Sequence, residues 1–152
     1  MKVHVESVLD CPPQKIWAAL THSASFLRVI KPIVSVKPLS PSQHPKKWQE
    51  DSAVFIKPYL FGLIPMSEKK IYFETIDHDS RFIQTRESDA LVKVWDHSIS
   101  VNPQGEYQTK YADTIEIKAG IFTPLVWLFA EYFYRHRQRR WKELALELNH
   151  TQ

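Results

Sequence analysis

What the chain lacks narrows it first. Its 152 residues include a single cysteine, Cys11, so no internal disulfide can form; this suits a reducing compartment and makes a cytoplasmic location the expectation. Glycine is scarce, with three in all, and neither a Walker-type nor a dinucleotide glycine motif occurs, so nucleotide cofactors have no support and no cofactor is expected. The seven histidines are scattered, with no HExxH, no Cys–His cluster and no zinc-ligand spacing, so no metal is expected. The opening MKVHVESVL alternates instead of forming a continuous apolar core, which reads as a strand and not as a signal peptide. The most apolar stretch, Ile121 to Tyr134, is broken by Pro124 and Glu131 and falls short of the about 20 residues that cross a bilayer, so no integral membrane segment is expected. A net charge of +3 is too small to imply nucleic acid.

What is present is an ordinary globular composition, 43% apolar and 24% charged, at a length that fits one domain over residues 1–152. Lys2 to Leu9 alternates as a strand. Asp10-Cys11-Pro12-Pro13 stops it and starts a helix to about Leu20, since proline suits the first helical turn. A second short helix follows Ser23 and ends before Pro32. Ile33 to Leu39 reads as a short edge strand, and Pro38 to Lys47 as a loop insertion. A meander follows: Lys47–Lys57, Glu68–Asp77, Arg81–Ser88, Leu91–Val101 and Tyr107–Ala119, with turn residues between. Thr123 can cap a last helix with Pro124 in its first position; the helical pattern runs to about Leu148, some 40 Å at the usual rise. Helices segregated to one face of an antiparallel sheet define an α+β fold.

Alternation assigns an inward face. On the last strand Tyr107, Thr109, Tyr111, Asp113, Ile115, Ile117 and Ala119 look inward, and Lys110, Glu116 and Lys118 outward. Taking Asn102-Pro103-Gln104-Gly105 as the turn pairs Val101 with Tyr107, His97 with Tyr111 and Trp95 with Asp113. The inward set then continues through Trp95, His97, Ile99 and Val101 to Ile83, Thr85 and Glu87, and on to Ile71, Phe73 and Thr75. His97 and Asp113 become diagonal neighbours within side-chain reach, and an inward carboxylate needs a donor. An apolar face with a few convergent polar groups is the pattern of a small-molecule site. The same pair can equally be a polar link that fixes the sheet.

The proline-started helix ending IWAAL, the segments VWDHSI (Val94–Ile99) and YADTIEIKAG (Tyr111–Gly120), and FAEYFYRHRQRRW (Phe129–Trp141) together resemble the SRPBCC superfamily, the START-like, Bet v 1-like and polyketide-cyclase-like domains, and within it bacterial ligand-binding members. The resemblance spans almost the whole chain. It implies a helix-grip fold, a curved antiparallel sheet of about seven strands around a long C-terminal helix, with two short helices after strand one and a deep hydrophobic cavity. It does not fix one function, since members bind lipids, hormones or polyketides and some are catalysts. The glycine-rich loop of the plant pathogenesis-related members is absent, with only Gly62 in the equivalent turn, and no cyclase signature is recognisable.

The expected function is therefore binding or transport of a small hydrophobic molecule, lipid or polyketide-like, without catalysis. Trp95, His97, Tyr111, Asp113, Phe73, Ile83 and Thr85 would contact it from the sheet, and Phe122, Val126, Phe129 and Phe133, at helical spacing, from the helix. The alternative is a cyclase, dehydratase or hydrolase with His97 as acid/base and Asp113 orienting it. A third is a protein-interaction module that uses the apolar turn Tyr59 to Pro65; that turn otherwise reads as a lid or, preferably, as core packed on the long helix. The run Arg135 to Trp141 reads mainly as a solvated face, with Arg137 or Arg140 available to pair an acid on the sheet. Cys11 reads as structural.

Overall fold

The computed structural model describes residues 1–39 and 44–151. The element order is β1 (Lys2–Leu9), α1 (Pro13–Leu20), α2 (Ser23–Ile30), β2 (Val34–Pro38), β3 (Ser52–Leu60), β4 (Ile64–Pro65), β5 (Lys69–Asp77), β6 (Phe82–Ser88), β7 (Val94–Gln104), β8 (Gln108–Lys118) and α3 (Thr123–His150). The strands form one antiparallel sheet in the order β1-β8-β7-β6-β5-β3-β2, with β4 folded back on β3. This curved sheet wrapped on one long helix, with α1 and α2 after the first strand, is the helix-grip α+β fold.

The eighth strand is the short β4, formed because Phe61 and Gly62 both take positive φ and reverse the chain. The third strand starts at Ser52 instead of Lys47. Residues before it cross beneath the helices: Trp48 donates its backbone N–H to the Thr21 carbonyl at 2.9 Å, and its indole stacks on Phe73 with ring centroids 4.8 Å apart. Of the expected loop from Pro38 to Lys47, residues 40–43 lie outside the described residues.

The β7–β8 register differs from the expected one by four residues. Val101 pairs with Tyr111, Ile99 with Asp113, His97 with Ile115 and Trp95 with Ile117; the strands run on through Pro103 opposite Thr109. The turn falls at residues 105–107, where Gly105 takes positive φ, so Tyr107 is exposed in the turn and does not face inward. Pro103 is tolerated for a geometric reason. The Val101 N–H donates to Arg81, toward the β6 side, so the N–H that Pro103 lacks would have pointed to the same side, beyond the end of β6. A shift of four is even, so Tyr111, Asp113, Ile115 and Ile117 stay on the buried face. On β5 an irregularity between Phe73 and Thr75 changes the parity, and Ile76, not Thr75, is the next buried residue.

Thr123 opens α3 without capping it by side chain. Its hydroxyl accepts from the Ala119 N–H at 2.9 Å and donates to the Gly120 carbonyl at 2.7 Å, which ties the end of β8 to the start of the helix. The first half of α3 is only partly enclosed: Leu125 is 67% and Leu128 59% exposed. The turn from Tyr59 to Pro65 also leaves Phe61, Leu63 and Ile64 exposed, so it is not core.

Candidate functional site

Between sheet and α3 lies a cavity of about 490 Å³. Two layers of side chains make its wall. Ile71 and Phe73 of β5, Ile83 and Thr85 of β6, and Trp95 and His97 of β7 stand on it because successive inward residues of neighbouring strands fall side by side. Val126, Phe129 and Phe133 face them from α3, with Tyr134, Arg137 and Trp141 further along. Trp48 and Phe26 close one side in an edge-to-face pair, 5.8 Å between centroids. Pro65, Leu91 and Leu125 line the cavity and are also exposed, which places its mouth between β4, the β6–β7 turn and the start of α3.

Three of the expected contact residues stand elsewhere. Phe122 is in the turn before α3, 48% exposed and outside the cavity, because the helix starts one residue after it. Tyr111 and Asp113 are fully buried behind the wall instead of on it; they stand on β8, between β7 and β1, and opposite Val101 and Ile99 instead of His97 and Trp95.

Asp113 is the hub of a buried polar cluster. It accepts from His97 Nε2 at 2.8 Å, Gln138 Nε2 at 2.8 Å and the Tyr111 hydroxyl at 3.4 Å, with Arg137 Nη2 3.8 Å away. Burial opposes its charge, but the Arg137 guanidinium, His97 and Gln138 outweigh that penalty and keep its pKa below the ordinary aspartate value. An ionised carboxylate only accepts, so the proton between the pair sits on His97 Nε2. Nδ1 is then turned to the Tyr134 hydroxyl at 3.5 Å, and that hydroxyl accepts from the Trp95 indole at 3.1 Å. A second ion pair lies beside it. Lys69 Nζ is 3.0 Å from Glu87 and 4.2 Å over the Trp95 ring. Burial opposes the Glu87 charge too, yet Lys69 and His97 bring its pKa down to about 2. Behind the wall, burial and the nearby Asp113 charge push the Tyr111 phenol well above its usual value, so it stays protonated.

Sequence reasoning did not single out Glu87, Lys69, Tyr134, Arg137, Gln138 or Trp141 as site residues. A signal existed for the helix. Residues 130, 133, 134, 137, 141, 144 and 145 are buried, a spacing of threes and fours that carries the apolar stripe straight through Arg137. Charge density masked it. Cys11 is buried, and burial raises its thiol pKa, so it is no reactive thiolate. Among the described residues no three His, Cys, Asp or Glu side chains are grouped to hold a metal, and no helix is long and apolar enough to cross a membrane.

Fold and cavity together define the class: the protein has the helix-grip α+β fold with a cavity between sheet and long helix. The chain belongs to the family described as Domain of unknown function (DUF8410), whose model matches residues 7–144. Solved structures with the same fold include a protein from Chromobacterium violaceum, with a TM-score of 0.74 at 11% identity over 95% of this chain and 96% of that one. The ZhuI aromatase/cyclase from Streptomyces sp. R1128 superposes with a TM-score of 0.69 at 12% identity, over 95% and 93%. A START superfamily protein from Mycobacterium smegmatis gives 0.66 at 13%, over 97% and 98%. At these identities the likeness is one of fold. No curated protein matches the chain in sequence.

Proposed function

We propose that the protein binds a small hydrophobic molecule, lipid or polyketide-like, in the cavity between sheet and α3. The observation that carries this reading is the cavity itself: about 490 Å³, walled mainly by aliphatic and aromatic side chains and open at one end. That is the size and lining of small-molecule sites. Trp95, His97, Phe73, Ile83, Thr85, Val126, Phe129 and Phe133 would make the contacts. Native mass spectrometry of freshly purified protein should reveal a bound small molecule. A matching compound at a hundredfold excess over its Kd should raise Tm by about 5–10 °C. Absence of any bound species, together with no thermal shift across a panel of lipids and polyketide-like compounds, would overturn the reading.

One observation favours a catalytic variant. His97 lines the cavity while Asp113 grips its far nitrogen at 2.8 Å, the arrangement in which a carboxylate orients an imidazole acid/base. In this reading the substrate is a polyketide-like molecule and the reaction a cyclisation, dehydration or hydrolysis. Turnover that disappears in His97→Ala and falls in Asp113→Asn, with the bound state retained, supports it; turnover unchanged in both removes it.

A further inference from the structure

The two ends of the sheet differ. Antiparallel pairing brings the end of β3, the start of β5, the β6–β7 turn and the end of β8 together, and sends the β5–β6 and β7–β8 turns to the opposite end. The first end carries the mouth of the cavity, marked by Pro65, Leu91 and Leu125. Its turns are apolar. Leu63 and Ile64 stand out at the turn between β3 and β4, Leu91 at the β6–β7 turn, and Ile121 and Leu125 on the segment that leads into α3; Leu63 is 83% and Ile121 90% exposed. The far end turns through the polar run Asp77-His78-Asp79-Ser80 and through Gly105-Glu106-Tyr107. A single exposed aliphatic side chain needs no explanation, but several from three separate segments around one opening mark an interaction surface.

The charge around these side chains has a sign. The Lys93 N–H donates to the Lys118 carbonyl at 3.0 Å, which places these two exposed lysines on neighbouring chain segments, one beside Leu91 and the other leading to Ile121. Lys93 Nζ reaches the Ala90 carbonyl at 3.1 Å, so its charge stays on the β6–β7 turn. Lys2 and Lys70 are exposed at the same end, against the acids Glu68 and Glu116. Asp89 is spent inside its own turn, where it accepts from the Leu91 and Val92 N–H groups, each at 2.8 Å. The result is an apolar rim with a basic surround.

We propose that the mouth end docks on an anionic lipid bilayer, with Leu63, Ile64, Leu91, Ile121 and Leu125 entering the boundary between headgroups and acyl chains and Lys93 and Lys118 meeting lipid phosphates. The contact is interfacial, since no helix among the described residues is long and apolar enough to span. Charge decides between a bilayer and a second copy of the chain. Two copies set mouth to mouth would bring one basic rim against another, whereas anionic headgroups supply the opposite sign. This surface goes beyond the cavity-binding reading and stands without it, because it rests on exposed side chains and not on what the cavity holds.

The test is flotation of the full chain with two kinds of vesicle, phosphatidylcholine alone and phosphatidylcholine with about a third of phosphatidylglycerol. The wild type should bind the mixed vesicles at least about tenfold more tightly, since each lysine near an anionic surface is worth about fivefold. Leu63→Ser combined with Ile121→Ser should weaken binding to the mixed vesicles at least about tenfold. Lys93→Gln combined with Lys118→Gln should remove most of the preference for the anionic lipid. Tyr107→Ser, at an exposed aromatic of the far end, should change neither. All five side chains are exposed, and an unchanged Tm shows that each variant is folded. Failure of the wild type to float with the mixed vesicles overturns the proposal, as does binding that survives in the Leu63 and Ile121 variant or falls equally in Tyr107→Ser. A wild-type dimer in sedimentation velocity that dissociates in the Leu63 and Ile121 variant, with no flotation, also overturns it and assigns the rim to a second copy. Bound small molecule in native mass spectrometry is unaffected by any of these outcomes, so the cavity reading is judged separately.

Discussion

From Pro124 to Tyr134 α3 is almost wholly apolar; from Arg135 to Lys142 it is mostly charged or titratable. Each half buries some of its side chains and exposes others, and the exposed ones of the apolar half include large aliphatic groups. Leu125 is exposed at the mouth of the cavity and Leu128 is exposed outside its wall, whereas Arg137 and Gln138 are 4% and 5% exposed against the sheet. The difference teaches that composition along a helix says little about burial when the surface opposite is itself polar. The second half of α3 lies over β1 and β8, where Asp113 and Ser7 present acceptors and donors, and a buried charge is stable where partners are built in. The start of the first half stands at the mouth, where Leu125 is exposed.

The largest effect should come from removing the hub. Asp113→Ala leaves His97, Gln138 and Arg137 buried with too few acceptors and should destabilise the protein by about 3–5 kcal/mol in urea unfolding. The double variant Asp113→Leu with Arg137→Met replaces the charges by apolar groups and should recover a substantial part of that loss. A single variant within about 1 kcal/mol of wild type would show that the charged half is solvated after all, and the contrast between the halves would fail.

The next effect is one of pH. The Glu87 pKa lies near 2 in the folded protein against an ordinary value of 4.5. A depressed pKa contributes stability that is present in full above the unfolded value and is lost as pH falls through the folded one. Unfolding free energy should therefore drop by on the order of 3 kcal/mol between about pH 5 and pH 2 from this group, with Asp113, shifted in the same direction, adding to the fall. Glu87→Gln should flatten the curve over that window; a slope identical to wild type would mean the Lys69–Glu87 pair does not hold in solution.

Much of this was legible because strands have a period of two. The expected pairing of Val101 with Tyr107 was four residues away from the actual pairing with Tyr111, yet the inward residues from Thr109 to Ala119 kept their face, because an even slip preserves parity; only Tyr107, taken into the turn, did not. His97 and Asp113 were diagonal neighbours in either register. The irregularity at Phe73–Thr75 was not legible, since an odd change of phase carries no local residue signature there, and it moved Ile76 into the place given to Thr75. The long helix was legible in extent and partner but not in orientation. Its buried stripe includes Arg137 and Gln138, whose burial depends on hydrogen-bond partners 25 to 131 residues earlier in the chain.

The smallest predicted effect is the sharpest check on the other half of the comparison. Leu128 is 59% exposed and outside the cavity wall, so Leu128→Ser removes little buried area and should change unfolding free energy by no more than about 0.5 kcal/mol. Leu125, exposed but also at the mouth, should behave the same way in stability while Leu125→Ser slows or weakens uptake of an apolar probe, because the first contact of an entering ligand is with the rim. The two substitutions are chemically identical and one turn of helix apart, so their difference in uptake isolates position from hydrophobicity. A loss above about 1 kcal/mol in Leu128→Ser would mean this face is covered in solution, and a melting temperature that rises with protein concentration in wild type but not in the variant would identify the cover as a second copy of the chain.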